Sequence, residues 1–241
     1  TEQLAAVGRF SAGLAHEIRN PLTSLSGSIQ VLARGLKLEN SYKKLMEIVI
    51  KETDRLNSIL SDFLSYSQPS KINNTIIDLT QLIQDVIILL KNKEDFSSKK
   101  QIIFNGPTDH LTLNGDEEQI KQVMWNLCIN ALEAMSQGTL NLKLTEVFSF
   151  RSGSFHANQR GMVLEVQDEG CGIAFDQINN IYDPFYSSKK NGVGLGLATV
   201  YQIISRNGGV LDVKSIVGKG TIFTVFIPDQ ESAKPAPLLS H

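Results

Sequence analysis

The chain has 241 residues, of which 41% are hydrophobic and 20% are charged, and its formal net charge is −2. These values are typical of globular proteins, and the length is sufficient for two domains with separate cores. The charge balance excludes the basic surplus of a nucleic-acid-binding protein. The longest apolar runs, such as Val86 to Leu90, are too short to span a bilayer, so we expect no membrane contact by this part of the chain.

The two cysteines, Cys128 and Cys171, show no metal-ligand spacing, which indicates reduced thiols in a cytoplasmic protein. No signal peptide is recognisable. The apolar pattern of the first helix starts without a capping residue before it. This predicts that the helix continues upstream, towards a sensor or a membrane segment.

The first 67 residues predict two long helices. Apolar residues at three- and four-residue steps run from Leu4 to Leu25, which predicts a helix over residues 2–33 with a kink at Pro21. The same spacing predicts a second helix over residues 42–63, after a connection at residues 35–41. The two helices form an antiparallel hairpin, and its half-covered apolar stripe predicts dimerisation into a four-helix bundle.

His16 lies on the outward face of the first predicted helix, in the segment FSAGLAHEIRNPL. The heptad-like pattern excludes a core position for this histidine. An ordinary surface position remains open, but it leaves the neighbouring Glu17 and Asn20 without explanation. A zinc-binding helix is excluded, because it would need a second histidine at position 20.

Residues 67–74 are polar and separate two different periodicities, so we expect a linker over residues 68–77, between a domain over residues 1–67 and a domain over residues 78–228. Asp78 and Asp116 each precede a glutamine by three residues, which predicts that both cap a helix.

The second domain alternates strands and helices, which indicates helices on one face of a mixed sheet. The predicted strands cover residues 75–77, 101–104, 139–147, 162–167, 209–216 and 221–227, and the later predicted helices cover residues 117–135 and 195–206. The expected irregular segments are a polar loop at residues 150–160, a mobile loop at residues 170–194 and a disordered tail at residues 229–241.

Three polar motifs in the second domain can carry chemistry. Asn126 and Asn130 share one face of a helix, where they either ligate a hard cation such as Mg²⁺ or bond to neighbouring backbone. Asp168 either accepts a hydrogen bond from the amino group of adenine, which guanine lacks at that position, or forms an Asx turn. The glycine-rich segment 192–200 opens a helix as a phosphate cradle does, and Lys189 before it either meets a phosphate or is solvated.

In chain order, these motifs resemble the transmitter core of a bacterial two-component sensor histidine kinase. FSAGLAHEIRNPL resembles its H box, QVMWNLCINALEA its N box, DEGCGI its G1 box, DPFYSSK its F box, GVGLGLA its G2 box and GKGTIF its last glycine element. The resemblance covers residues 1–228. It implies an α+β chain, in which a two-helix hairpin forms a dimeric four-helix bundle and precedes an α/β sandwich of the histidine kinase, gyrase and Hsp90-like ATPase type.

The resemblance also implies ATP and Mg²⁺ as cofactors and a role for each matching residue. His16 accepts the γ-phosphoryl group, Glu17 orients its imidazole or takes a proton from it, and Asn20 positions water for removing phosphate from a response regulator. Asn130 is the implied metal ligand, and Phe185 anchors a lid over the phosphates. The residues implied to bind the nucleotide are Asn126, Asn130, Asp168, Gly170, Gly172, Phe185, Lys189, Gly192, Gly194, Gly196, Leu197 and Thr221.

The implied partners are a second copy of the chain and the receiver domain of a response regulator, in the cytoplasm. Two other functions remain open, a non-catalytic protein that dimerises and holds a regulator, and an ATPase of the gyrase or chaperone kind. Relatives that hydrolyse ATP carry a glutamate where this chain has Asn126, and an amide is no general base. Phosphoryl transfer to His16 therefore fits better than hydrolysis.

Overall fold

A computed structural model describes residues 40–67, 72–93, 96–107, 110–153, 155–189 and 192–230, and among the first 39 residues only Thr23, Leu25, Gly27, Ile29, Val31 and Leu32, which are helical. The chain divides into two compact units, Thr1–Lys71 and Ile72–His241. The rest of the predicted helix over residues 2–33, with its kink and with His16, Glu17 and Asn20, lies outside the described residues. No helix in the described part is both long and apolar enough to cross a membrane.

Helix α1 (Asn40–Ser67) belongs to the first unit and contains the predicted helix over residues 42–63, which is thereby confirmed. Its Thr53 hydroxyl is satisfied within the helix, because it donates to the carbonyl oxygen of Val49 at 2.7 Å. Several large apolar side chains of this helix are 45–58% exposed, namely Tyr42, Leu45, Ile48, Val49 and Leu56. They provide apolar surface that can pack against another helix.

The second unit is an α/β structure, as predicted. Its elements in chain order are β1 (Thr75–Asp78), α2 (Leu79–Lys91), β2 (Lys100–Asn105), β3 (Thr112–Gly115), α3 (Glu117–Ala134), β4 (Gly138–Val147), β5 (Phe150–Ser152), β6 (Phe155–Ala157), β7 (Gly161–Asp168), α4 (Gly196–Arg206), β8 (Val210–Ile216) and β9 (Gly220–Pro228). The main sheet has the strand order β2-β4-β7-β9-β8. It is a mixed sheet, because β2 pairs with β4 in parallel and the other pairs are antiparallel.

One face of this sheet forms the core with the helices. Leu142 on β4 lies opposite Val166 on β7, which lies opposite Phe223 on β9, and all three side chains are at most 5% exposed. Buried residues of α2, α3 and α4 belong to the same hydrophobic cluster. The intervening side chains point to the other face, where Lys143 and Glu165 form an exposed ion pair at 2.9 Å.

Both predicted helix caps are present. The Asp78 carboxylate accepts the backbone N–H of Gln81 at 3.1 Å, at the start of α2. The Asp116 carboxylate accepts the backbone N–H of Gln119 at 3.1 Å and its side-chain amide at 3.2 Å, at the start of α3. Caps of this kind stabilise a helix by about 1 kcal/mol. The second cap fixes where α3 begins, and with it the positions of the asparagines further along.

In two places, short strands form where none was predicted. Strand β3 was not predicted, and it pairs antiparallel with β1 in a separate two-stranded sheet. The predicted polar loop over residues 150–160 is wrong, because β5 and β6 form a small hairpin there. The hairpin is stabilised by packing against a residue distant in sequence, so no local sequence pattern predicts it. The ring of Phe150 stacks on Phe226 with centroids 4.8 Å apart and an interplanar angle of 1°.

The predicted disordered tail is also wrong at its first two residues. Asp229 is 3% exposed and its carboxylate is paired with the Arg160 guanidinium. Gln230 donates from its side-chain amide to the carbonyl oxygen of Asn207 at 3.0 Å. These contacts attach the end of β9 to the domain, and residues 231–241 lie outside the described residues.

Both cysteines are free thiols, as predicted, with Cys128 buried and Cys171 exposed. Burial raises the pKa of the Cys128 thiol to about 12, so this residue is an inert part of the core. The segment after β7, predicted as a loop over residues 170–194, consists of turns and bends where it is described.

Candidate functional site

Asp168 is the last residue of β7, and it is buried at 4% exposure. Its Oδ1 atom accepts the backbone N–H groups of Gly170, at 2.7 Å, and of Thr221, at 3.3 Å. No group in the described part of the chain donates to Oδ2. Oδ1 therefore makes the predicted Asx turn, and Oδ2 stays available to a ligand. Burial raises the pKa of this carboxyl group, and the two backbone hydrogen bonds oppose that shift.

The corner around Asp168 is closely packed. A Cβ atom on Gly170 would lie 2.8 Å from that of Ala134, so only glycine fits there. Gly172 has a φ of 71°, a left-handed conformation that favours glycine. Thr221 is 4% exposed, and its hydroxyl lies 2.9 Å from that of Ser215. These contacts hold the carboxylate in one position.

A second group of polar side chains lies along α3. The Lys189 ammonium donates to Asn130 Oδ1 at 2.8 Å and to Glu133 Oε2 at 2.6 Å. Asn126, one turn earlier, donates from its amide to the carbonyl oxygen of Gly196 at 3.3 Å. A Cβ atom on Gly196 would lie 3.8 Å from both asparagine side chains. The first turn of α4 therefore lies against the asparagine pair, and the amides bond to other elements, not to neighbouring backbone.

The loop before α4 is closed at its base by a backbone hydrogen bond. The Phe185 N–H donates to the carbonyl oxygen of Gly194 at 3.0 Å, and Phe185 has a φ of 68°, which is rare outside glycine. A Cβ atom on Gly194 would lie within 2.5 Å of the Phe185 backbone. The Phe185 ring is 62% exposed, whereas Tyr186 packs against the core. Phe185 thus holds the loop through its backbone, and the packed side chain is that of Tyr186.

Helix α3 connects the two groups. Ala134, one turn beyond Asn130, contacts the Gly170 position and accepts the Cys171 N–H at 3.1 Å. The structure therefore brings two groups of predicted residues together. Asn126, Asn130, Lys189 and Gly196 meet along α3, and Gly170 meets the end of the same helix at Ala134. Asp168 and Thr221 are joined to Gly170 by hydrogen bonds to Asp168 Oδ1, and Gly172 lies in the same turn. Gly192 is exposed and Leu197 is half-buried against the core.

The arrangement offers a hydrogen-bond acceptor at one end and an ammonium group with a helix N-terminus at the other. A ligand with an amino-bearing ring and a phosphate chain matches both ends. The contact of Glu133 with Lys189 was not predicted from the sequence. Its only sequence signal is that Glu133 follows Asn130 by three residues, which places both on one side of the helix.

Two family models match the chain. The phospho-acceptor domain His Kinase A matches residues 6–72, and the histidine kinase-, DNA gyrase B- and HSP90-like ATPase matches residues 115–231. The sensor histidine kinase ZraS of Salmonella typhimurium is 34% identical over 229 residues, which are 94% of this chain and 47% of that protein. Sporulation kinase C of Bacillus subtilis is 33% identical over 228 residues, which are 95% of this chain and 50% of that protein.

Solved structures agree with these matches. The histidine kinase ThkA, in complex with the response regulator protein TrrA, superposes with a TM-score of 0.66 at 27% identity, over 97% of this chain and 65% of that one. Full-length ShkA has a TM-score of 0.75 at 24% identity, over 95% of this chain and 47% of that one, and supports the fold alone. The chain spans about half the length of the relatives ZraS and sporulation kinase C. With its phospho-acceptor domain followed by an ATPase-type domain, the chain belongs to the histidine kinases and forms the transmitter core of a two-component sensor kinase.

Proposed function

We propose that this chain binds Mg–ATP in its second unit and transfers the γ-phosphoryl group to His16 in its first unit. The observation that carries the proposal is the geometry of Asp168, whose carboxylate is fixed through Oδ1 and keeps Oδ2 for a ligand. The match of residues 6–72 to a phospho-acceptor domain supports the choice of His16 as the acceptor.

Asp168 selects adenine in this proposal, because its Oδ2 accepts from the amino group of that ring and repels the carbonyl oxygen of guanine. Gly170 and Gly172 allow the close packing of the turn after Asp168, and Thr221 helps to keep the carboxylate in place. The phosphates lie towards Lys189 and the N-terminus of α4, where cationic charge and backbone N–H groups favour anions. The proposed set is completed by Asn126, Phe185, Gly192, Gly194, Gly196 and Leu197.

Mg²⁺ fits the phosphate end of this site. Asn130 Oδ1 and Glu133 Oε2 already surround an ammonium group, so two oxygens face one cation position. No three histidine, cysteine or acidic residues of the described part converge on a metal position, so the phosphates supply most of the ligands, as is usual for Mg²⁺. When bound, the metal neutralises phosphate charge. Asn130 holds it, with Asn126 supporting the phosphate end through Gly196.

The proposed transfer is an in-line displacement. An unprotonated ring nitrogen of His16 forms a bond to the γ-phosphorus while the bond from that phosphorus to the bridging oxygen breaks, and ADP leaves with the electron pair. Glu17 orients the ring or takes the proton from its other nitrogen. Asn126 provides no base for activating water. Asn20 is proposed to position water in the removal of phosphate from a response regulator.

Two partners belong to the proposal. A second copy of the chain covers the exposed apolar side chains of α1, of which Leu45 is 57% exposed. The receiver domain of a response regulator takes the phosphoryl group from His16 onto an aspartate, and the complex of ThkA with the response regulator protein TrrA supports this role. We place these reactions in the cytoplasm and propose that the chain is the cytoplasmic part of a membrane-bound sensor. We propose residues 68–77 as the linker between the two domains, and the part of it at residues 75–77 belongs to β1, which pairs with β3.

Incubation with γ-labelled ATP and Mg²⁺ tests this function. The chain is expected to take up label that is lost in acid and stable in alkali, as a phosphohistidine is, and His16→Gln is expected to take up none while still binding ATP. Binding of ATP by both proteins without label in either would support the non-catalytic interaction protein instead.

A further inference from the structure

The contact between the loop before α4 and helix α3 points beyond the residues assigned so far. Lys189 places its ammonium nitrogen 2.8 Å from Asn130 Oδ1 and 2.6 Å from Glu133 Oε2. The two oxygens come from side chains three residues apart on α3, and they converge on one point. A cation therefore already occupies the position that the proposed function gives to the metal.

The ion pair itself is weak. The Lys189 and Glu133 side chains are 39% and 49% exposed, and a solvated pair of this kind contributes little stability. The Lys189 ammonium can therefore be replaced by a cation that binds the two oxygens more strongly. Mg²⁺ binds oxygen at about 2.0–2.1 Å, nearer than an ammonium nitrogen, and prefers carboxylate and amide oxygens. Metal and ammonium cannot lie at the same point between the two oxygens.

We propose that Glu133 is a second protein oxygen of the cation position, facing the metal directly or through a bound water, and that Lys189 occupies this position only while no Mg–ATP is bound. This inference rests on the proposed function and adds to it one metal-facing residue and one exchange. Glu133 carries the negative charge that Asn130 lacks. It thus favours Mg–ATP over ATP without metal, whose phosphates it repels.

The loop geometry is consistent with a local exchange. The Phe185 to Gly194 hydrogen bond and the packed Tyr186 side chain hold the base of the loop. Lys189 lies beyond both, on an exposed stretch of the loop. Its side chain can leave Glu133 and turn to the phosphates while the base of the loop stays in place. The same residue then serves as a substitute cation in the free protein and as a phosphate ligand in the complex.

The test compares ATP affinity with Mg²⁺ and with a chelator, in the unchanged chain and in Glu133→Gln. Dividing the two affinities removes any effect of the substitution on nucleotide binding that does not depend on the metal. The ratio is expected to fall about tenfold in Glu133→Gln, which is the usual effect of removing a carboxylate near a metal. The matched control is Glu165→Gln, which removes the same charge from an exposed lysine pair on the far face of the sheet, and its ratio is expected not to change.

A second readout follows Lys189 itself. Without nucleotide, reaction of Lys189 with an amine reagent, measured by peptide mass mapping, is expected to be faster in Glu133→Gln than in the unchanged chain. An unchanged affinity ratio in Glu133→Gln, with ATP still bound, would overturn the inference and leave the proposed function standing. Absence of ATP binding by the unchanged chain would overturn the proposed function and this inference with it.

Discussion

The backbone N–H of Thr221 donates to Asp168 Oδ1 across two neighbouring strands, where the register of β7 and β9 places the two residues opposite each other. A carboxylate held from its own turn and from the adjacent strand cannot rotate freely. Its second oxygen therefore keeps one direction, and this fixed acceptor is the basis on which we propose adenine recognition.

Replacement of Asp168 tests that recognition. Asp168→Asn is expected to weaken ATP binding by about 10- to 100-fold, because a hydrogen bond to a charged group contributes about 1.5–3 kcal/mol. An amide nitrogen at the position of Oδ2 would donate to the carbonyl oxygen of guanine, so the ratio of ATP to GTP affinity should also fall. Competition binding with both nucleotides measures this. The exposed Asp176 provides the control, as Asp176→Asn, and an unchanged ATP affinity in Asp168→Asn would refute the assignment.

The pH dependence of binding follows from burial of the same group. Burial raises the pKa of Asp168 above its ordinary value of 3.8. As the pH falls through that raised pKa, the carboxylate gains a proton and loses its role as acceptor, so ATP affinity should decrease at a pH where an ordinary aspartate is still charged. Titration of binding against pH measures the loss, and Asp168→Asn corrects for protonation of the nucleotide. An identical pH profile for both proteins would count against the buried carboxylate.

The same shift has a consequence for stability. A carboxyl group with a raised folded-state pKa binds its proton more tightly when folded, so its charged form destabilises the fold as the pH rises through that pKa. Near neutral pH, Asp168→Asn should therefore unfold at a temperature no lower than the unchanged chain. A lower melting temperature would indicate that Asp168 serves mainly to stabilise the fold.

Arg160 is expected to be the more important residue for stability. Its guanidinium donates to Glu146 at 2.7 Å, to the Thr112 carbonyl oxygen at 3.0 Å and to the buried Asp229. Glu146 is the main reason that the pKa of Arg160 is raised. Arg160→Ala should lower the free energy of unfolding by about 2 kcal/mol, because it removes three contacts and leaves polar groups less satisfied. Urea unfolding measures the change, with the exposed Arg151→Ala as control, and equal midpoints for the two variants would contradict this role.

A substitution on α1 tests the proposed dimer. Leu45 is 57% exposed in the single chain, and Leu45→Glu would place a charge in the surface that the second copy is proposed to cover. Light scattering should show a dimer for the unchanged chain and a shift towards monomer for Leu45→Glu. The nearby exposed Lys51→Glu makes a charge change in the same helix and should stay dimeric. Dimers of undiminished stability in Leu45→Glu would place the contact elsewhere.

Features that depend on a few neighbouring residues were predictable from the sequence. The caps at Asp78 and Asp116 follow from residues three positions apart. The turn at Asp168 follows from the glycine two positions later. In each case, the residues that make the contact are two or three positions apart, so the local sequence pattern predicts the interaction.

Features that depend on distant residues were not predictable. Lys189 and Glu133 are 56 residues apart, and Arg160 and Asp229 are 69 residues apart, so no local pattern indicates either pair. The hairpin of β5 and β6 has strands of only three residues, and it depends on stacking against Phe226 from the last strand. A polar segment of this composition has no strand signal of its own.

We propose that the γ-phosphoryl group goes to His16 and not to water. The most direct measurement is a single-turnover reaction with limiting γ-labelled ATP, in which ADP, free phosphate and label on the protein are followed together. Phosphoryl transfer to His16 predicts that ADP and labelled protein appear at the same rate, that the label maps to the peptide with His16, and that free phosphate lags behind. ADP matched from the start by free phosphate, at the same rate in His16→Gln, would contradict it and identify an ATPase.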